Sequence, residues 1–146
     1  MRIGIDTAIL IRAHEKAAGP ARELLLVLRE TGHALILSSY VLDEVARVLH
    51  YPRLQKLFSL TEQEIDRHLA MLRSMADIVE PASGPPIVLE DPEDDPVVYT
   101  AIAGDADILC TVDKHFYALN VLAFCARHKI RVMTDVQLLR LLREIV

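Results

Sequence analysis

The chain is poor in the residues that mark several common protein classes. It has two cysteines in 146 residues, Cys110 and Cys125, and no C-x-x-C pair. That excludes a disulfide scaffold and a thiolate zinc site, and the two thiols are expected to be buried, reduced and cytoplasmic. There is no excess of positive charge: 16 Lys and Arg against 21 Asp and Glu give a net charge of −5. A broad basic face for binding nucleic acid is therefore not expected. A nucleic-acid enzyme is still compatible with this balance, because a carboxylate metal site is itself negative and bound divalent cations reverse its sign locally. No apolar run reaches the roughly 20 residues needed to cross a bilayer. The apolar start, residues 1–11, is interrupted by Asp6, and no signal-peptide pattern is expected there. Internal repeats and low-complexity stretches are absent.

Apolar residues make up 52% of the chain, and the mean hydropathy is +0.27. At this length a fold buries roughly 70% of the surface its unfolded chain exposes. One domain over residues 1–146 is expected.

Short solid apolar runs alternate with segments of helical spacing. RIGI (2–5), ALILS (34–38), ILCTV (108–112) and IRVMT (130–134) suggest buried strands, and IVEP a short strand or extended exit. Residues 7–14 suggest a turn or short helix. A helix follows Gly19-Pro20 and stops at Gly32. Ser39 is placed to cap a helix over 40–50, which Tyr51-Pro52 ends. Thr61 and Glu64 form a capping box for a helix running to about Asp77. PASGPP (81–86) is a loop within the domain. Further helices are expected over about 95–104 and over 117–128, and a last one capped by Thr134 or Asp135. Solid strands alternating with helices indicate a parallel sheet covered on both faces, an α/β/α sandwich with four to five strands.

Four acids stand at the ends of these elements. Asp6 closes the first strand and Asp113 the ILCTV strand. Glu44 lies about one turn into the helix after the second strand, and Asp95 starts the helix that feeds ILCTV. In open parallel sheets, sites form beyond the carboxyl ends of the strands at the switch in strand order. Each acid has a plainer reading as well. Glu44 beside Asp43 can be a solvated helix acid. Glu90, Asp91, Glu93, Asp94 and Asp95 can be an acidic loop favoured by a helix dipole. Asp113 can simply cap a turn. Taken together, the four fall on one sheet edge.

Two carboxylates about 4 Å apart repel by about 4 kcal/mol at an effective dielectric near 20. Four must protonate or bind cations. Hard oxygen ligands suit Mg²⁺ or Mn²⁺, and the six histidines are scattered, without zinc spacing. His14, His33, His50, His68 and His128 fit the surface or helix ends. A metal so held orients water and lowers its pKa, which points to phosphodiester hydrolysis.

Four segments carry a family resemblance. They are IGIDTAIL (3–10), LSSYVLDEV (37–45), DPEDDPVVYTAIAGDADILCTVDKHF (91–116) and IRVMTDVQLLRLL (130–142). In this order the chain resembles PIN-domain proteins, in particular the VapC-like branch of toxin components of toxin–antitoxin pairs. The resemblance implies a Mg²⁺- or Mn²⁺-dependent ribonuclease with a three-layer α/β/α fold. The family's four acids fall on Asp6, Glu44, Asp95 and Asp113, as catalytic and metal-binding residues, and its supporting hydroxyl falls on Thr111. An RNA substrate, a homodimer and a small antitoxin partner are implied as well.

Two positions depart from the family pattern. Ala8 replaces a common Asn or Ser, which removes a polar group able to orient Asp6 or a metal-bound water. His115 stands where another acid is frequent; it either replaces an outer ligand or faces solvent. Ala8 motivates a second reading, a PIN-like module that binds RNA or protein without efficient turnover. A third, a phosphatase or receiver-type domain, lacks the companion acids it needs near Asp6.

Overall fold

The computed structural model describes residues 1–145. Its centre is a five-stranded, all-parallel sheet: β1 (Arg2–Ile5), β2 (Ala34–Leu37), β3 (Ala76–Ile78), β4 (Ile108–Cys110) and β5 (Arg131–Met133), in the order β3-β2-β1-β4-β5. The three central strands β1, β2 and β4 leave little to water: Ile3, Leu35, Leu37, Leu109 and Cys110 are essentially inaccessible, while the edge strands β3 and β5 are partly exposed. Burial on both faces explains why the central three are solid apolar runs rather than alternating ones.

Helices α1 (Thr7–Arg12), α2 (Pro20–Thr31), α3 (Ser39–Leu49), α4 (Pro52–Phe58) and α5 (Glu62–Met75) lie in the connections from β1 to β2 to β3. The chain then crosses back through α6 (Asp95–Ala103) to β4 and through α7 (Leu119–Arg127) to β5, and ends in α8 (Asp135–Glu144). The two sets of crossovers run in opposite directions, so the right-handed rule puts their helices on opposite faces. Helix α6 packs on β1, β2 and β4, while α2 packs on α8. The result is the three-layer sandwich expected from the alternation of runs.

Local chemistry accounts for the helix ends. Gly32 closes α2 at φ 73°, where a Cβ would be strained. Thr61 and Glu64 form the capping box of α5, and Thr134 with Gln137 forms that of α8. At Gly104, which ends α6, a Cβ would overlap the Ile36 side chain, so the residue is fixed by the close approach of α6 to β2.

Several details differ from the sequence reading. Ser38, not Ser39, caps α3, accepting from the Val41 N–H. Tyr51-Pro52 ends α3 but also starts α4, because Pro serves a helix's first turn as readily as it stops another. Strand β3 is Ala76–Ile78 rather than IVEP; its pairing with Leu35–Leu37 overrides the helical spacing of those residues. Two 3-10 turns, Pro92–Asp94 and Lys114–Tyr117, precede α6 and α7. His14 and His68 are core residues, 4% and 3% exposed, not surface ones. His68 reaches the Leu10 carbonyl oxygen at 2.8 Å, which links α5 to α1. Both cysteines are free and buried, with burial holding their thiols well above the ordinary range.

Candidate metal centre

The sheet order reverses direction around β1, between β2 on one side and β4 on the other. The carboxyl ends of β1 and β4 therefore face the crevice where such sheets bind ligands. Asp6 follows β1 directly and is 4% exposed. Its Oδ1 accepts the Thr7 N–H at 2.8 Å and caps α1, and its Oδ2 accepts the Thr111 hydroxyl at 2.9 Å. Burial raises the Asp6 pKa, the Thr111 and Thr7 hydrogen bonds oppose that rise, and the Asp113 charge adds to it.

Asp113 lies three residues past β4, and its Oδ1 accepts the His115 N–H at 2.9 Å, opening the turn Lys114–Tyr117. Thr111 is inaccessible to solvent and serves both acids: its hydroxyl donates to Asp6 and accepts from the Asp113 N–H at 3.1 Å. Glu44 projects from α3. Burial raises its pKa, the Asp6 charge adds to the rise, and the nearby Arg47 opposes it. Three of the four acids proposed from sequence thus act on one another.

Asp95 does not join them. Its Oδ1 accepts the N–H groups of Ile87 (3.2 Å) and Val88 (2.7 Å), so its carboxylate pins the loop before α6. Asp94 takes the place instead. Burial pushes its carboxyl up to about 8, helped by the charges of Asp6, Asp91, Asp113 and Glu44 in that order. Its Oδ2 is shielded from solvent and has no hydrogen-bond partner.

A signal for Asp94 existed in the spacing. Asp94, Val98 and Ala101 lie at i, i+4 and i+7, one helical stripe. Ala101 meets Gly4 of β1, so that stripe points at the strand ending in Asp6. Asp95 is rotated about 100° away, on the Tyr99 side, and its charge raises the Tyr99 pKa after burial.

Other groups missed from sequence complete the rim. Asp91 caps the turn Pro92–Asp94 and lies with Asp94 and His115 in a cluster whose ligand atoms are within 4.8 Å of one another. The Tyr40 hydroxyl of α3 donates to the Glu93 carbonyl at 2.8 Å. Thr100 Oγ1 donates to Ser38 Oγ at 2.8 Å and so ties α6 to the start of α3. Tyr40, Asp43, Glu44, Arg47 and Glu93 line a groove of about 200 Å³. A wider groove of about 500 Å³ between α7, β5 and α8 has no carboxylate in its lining. Ala8 lies exposed on α1 and offers no polar group.

The arrangement fits a hard divalent cation. A shielded carboxylate oxygen without a donor, among four other acids, is stable only if protonated or matched by a cation. The donors are mainly carboxylate oxygens, as such ions prefer.

A family model described as a PIN domain matches residues 2–115 of the chain. A comparison with curated protein sequences gives no match. Among solved structures, the chain is similar to the crystal structure of VapBC2 from Rickettsia felis bound to a DNA fragment from their promoter, with a TM-score of 0.58 and 16% sequence identity. The similarity covers 92% of this chain and 98% of that one. At that identity the likeness is one of fold.

Proposed function

This chain belongs to the PIN domain family, and on that premise we propose that it is a Mg²⁺- or Mn²⁺-dependent endoribonuclease, the toxin of a toxin–antitoxin pair. The observation that carries the reading is Asp94 Oδ2, shielded and without a donor among Asp6, Glu44, Asp91 and Asp113. Asp6, Glu44, Asp94 and Asp113 would hold the metal. When bound, the metal supplies an activated water and neutralises charge developing on the phosphate.

The chain's own residues do the rest. Thr111 and the Thr7 N–H hold both Asp6 oxygens, which fixes the carboxylate before any cation arrives. The His115 N–H holds Asp113 in the same way. Arg47, which lines the same groove as Glu44, would meet a phosphate there. Asp95 supports the site from behind by pinning residues 87–88.

A small antitoxin partner, a homodimer and a cytoplasmic location belong to this reading. The fold neighbour, a VapBC2 assembly on promoter DNA, supports the toxin–antitoxin part. No described helix is long and apolar enough to cross a membrane.

The test is cleavage of RNA by the pure protein with Mn²⁺, with Mg²⁺ and with EDTA. Metal-dependent cleavage that is lost in Asp6→Asn is expected. Cleavage that survives EDTA or Asp6→Asn would remove the proposal. If metal and RNA bind without turnover, the second reading stands, a PIN-like module whose bare Ala8 leaves the site short of a polar group.

A further inference from the structure

We propose that His115 is a nitrogen ligand of the carboxylate centre, and that it makes the centre prefer a first-row transition ion over Mg²⁺. This rests on the metal-centred reading above and adds a donor to it.

Four observations converge on the ring. Its ligand atom lies with those of Asp91 and Asp94 in one cluster, all within 4.8 Å of one another. Nδ1 is shielded from solvent and has no hydrogen-bond partner. Asp113 Oδ1 stands 3.4 Å from Nδ1 without forming a hydrogen bond, and already accepts the His115 backbone N–H at 2.9 Å. On the far side of the ring, Nε2 lies 3.3 Å from Glu90 Oε2.

Neither contact is a hydrogen bond. With a cation at Nδ1, the ring proton would sit on Nε2, beside the Glu90 carboxylate. A carboxylate behind the outer nitrogen is the usual support of a metal-bound histidine; it fixes the ring and makes the inner nitrogen more basic. Without a cation, His115 Nδ1 and Asp94 Oδ2 are both shielded and unpartnered, and each of the two residues brings a ligand atom to the same cluster. One cation satisfies both.

The nitrogen then decides which cation. Mg²⁺ is held almost entirely by oxygen, whereas imidazole suits transition ions. A carboxylate at position 115 would leave an all-oxygen set and no such preference. The opposing view is that His115 is an imidazolium counter-charge, which would keep a cation out of its part of the cluster.

The experiment uses the full-length protein and Mn²⁺ as a paramagnetic probe. Electron spin-echo modulation reads nitrogen bound to Mn²⁺ and needs no variant. Nitrogen modulation is expected in the native protein and is expected to vanish in His115→Asp. Calorimetric affinities should show the preference for Mn²⁺ over Mg²⁺ falling about tenfold in His115→Asp. Glu90→Gln, which loosens the ring from outside, should weaken Mn²⁺ by about 10-fold. Circular dichroism melting checks that both variants fold. Bound Mn²⁺ that is lost in Asp6→Asn yet shows no nitrogen modulation overturns this proposal and leaves the metal centre standing. An unchanged metal preference in a folded His115→Asp does the same. Absence of any Mn²⁺ binding overturns both.

Discussion

Thr111, just past β4, donates its hydroxyl to Asp6 Oδ2, just past β1, at 2.9 Å and out of reach of solvent. The bond joins the two strands whose ends form the crevice, and it works against the burial that raises the Asp6 pKa. Thr111→Val keeps the shape and removes the donor. Support of this kind is worth about 10–100-fold in metal affinity. Calorimetry with Mn²⁺ should show a loss in that range, and unchanged affinity would mean that the hydroxyl serves packing alone.

Asp94 and Asp95 should separate in opposite ways. Asp94→Asn is expected to weaken Mn²⁺ binding at least about 10-fold with little loss of stability. Asp95→Ala strips the Ile87 and Val88 N–H groups of their acceptor and should cost about 1–3 kcal/mol in a urea titration, with metal affinity nearly kept. The reverse pattern would return the third acid to Asp95.

The raised Asp94 carboxyl makes stability depend on pH when no metal is bound. Its pKa is about 8 in the folded protein against an ordinary 3.8. Between those values the folded state holds the extra proton, so stability falls as pH rises through the window. Asp94→Asn removes that loss. In EDTA the variant should match the native Tm near pH 4 and exceed it near pH 8. The residue is only half-buried and screened, so about 1 kcal/mol, or about 2–4 °C, is expected. An equal gain at both pH values would rule out titration as its cause.

Gly104→Ala tests the fit of α6 on the sheet. The new Cβ would overlap Ile36 Cγ2, and the Gly104 carbonyl also accepts from Arg2 Nε at 2.7 Å. Overpacking of this kind costs about 1–3 kcal/mol. A chemical denaturation midpoint that does not move would show that α6 shifts freely.

The centre of the sheet was legible because both of its faces are buried: RIGI, ALILS and ILCTV are short solid runs bounded by turn or cap residues, whereas edge strand β5 is partly exposed. Caps with a side-chain signature, Thr61 with Glu64 above all, were legible for the same local reason. What escaped depends on the third dimension. The core position of His68 needs α1 and α5 to meet, and that of His14 needs Phe58 of α4 against its ring, which no one segment states. Among the acids, Asp6 and Asp113 could be placed because a strand end fixes direction. Asp94 and Asp95 are neighbours in sequence with opposite destinations, and only the turn Pro92–Asp94 sets which of them α6 turns toward β1.

The Tyr40 hydroxyl bonded to the Glu93 carbonyl couples the helix carrying Glu44 to the turn carrying Asp94. It is an uncharged strap laid outside the acids, on a ring 37% exposed. Its consequence is mechanical. Once pH passes about 8 and Asp94 ionises without a cation, like charges on these two elements repel, and the strap resists without adding a charge of its own. On the metal-centred proposal, the strap would hold the two elements at one spacing with and without the ion.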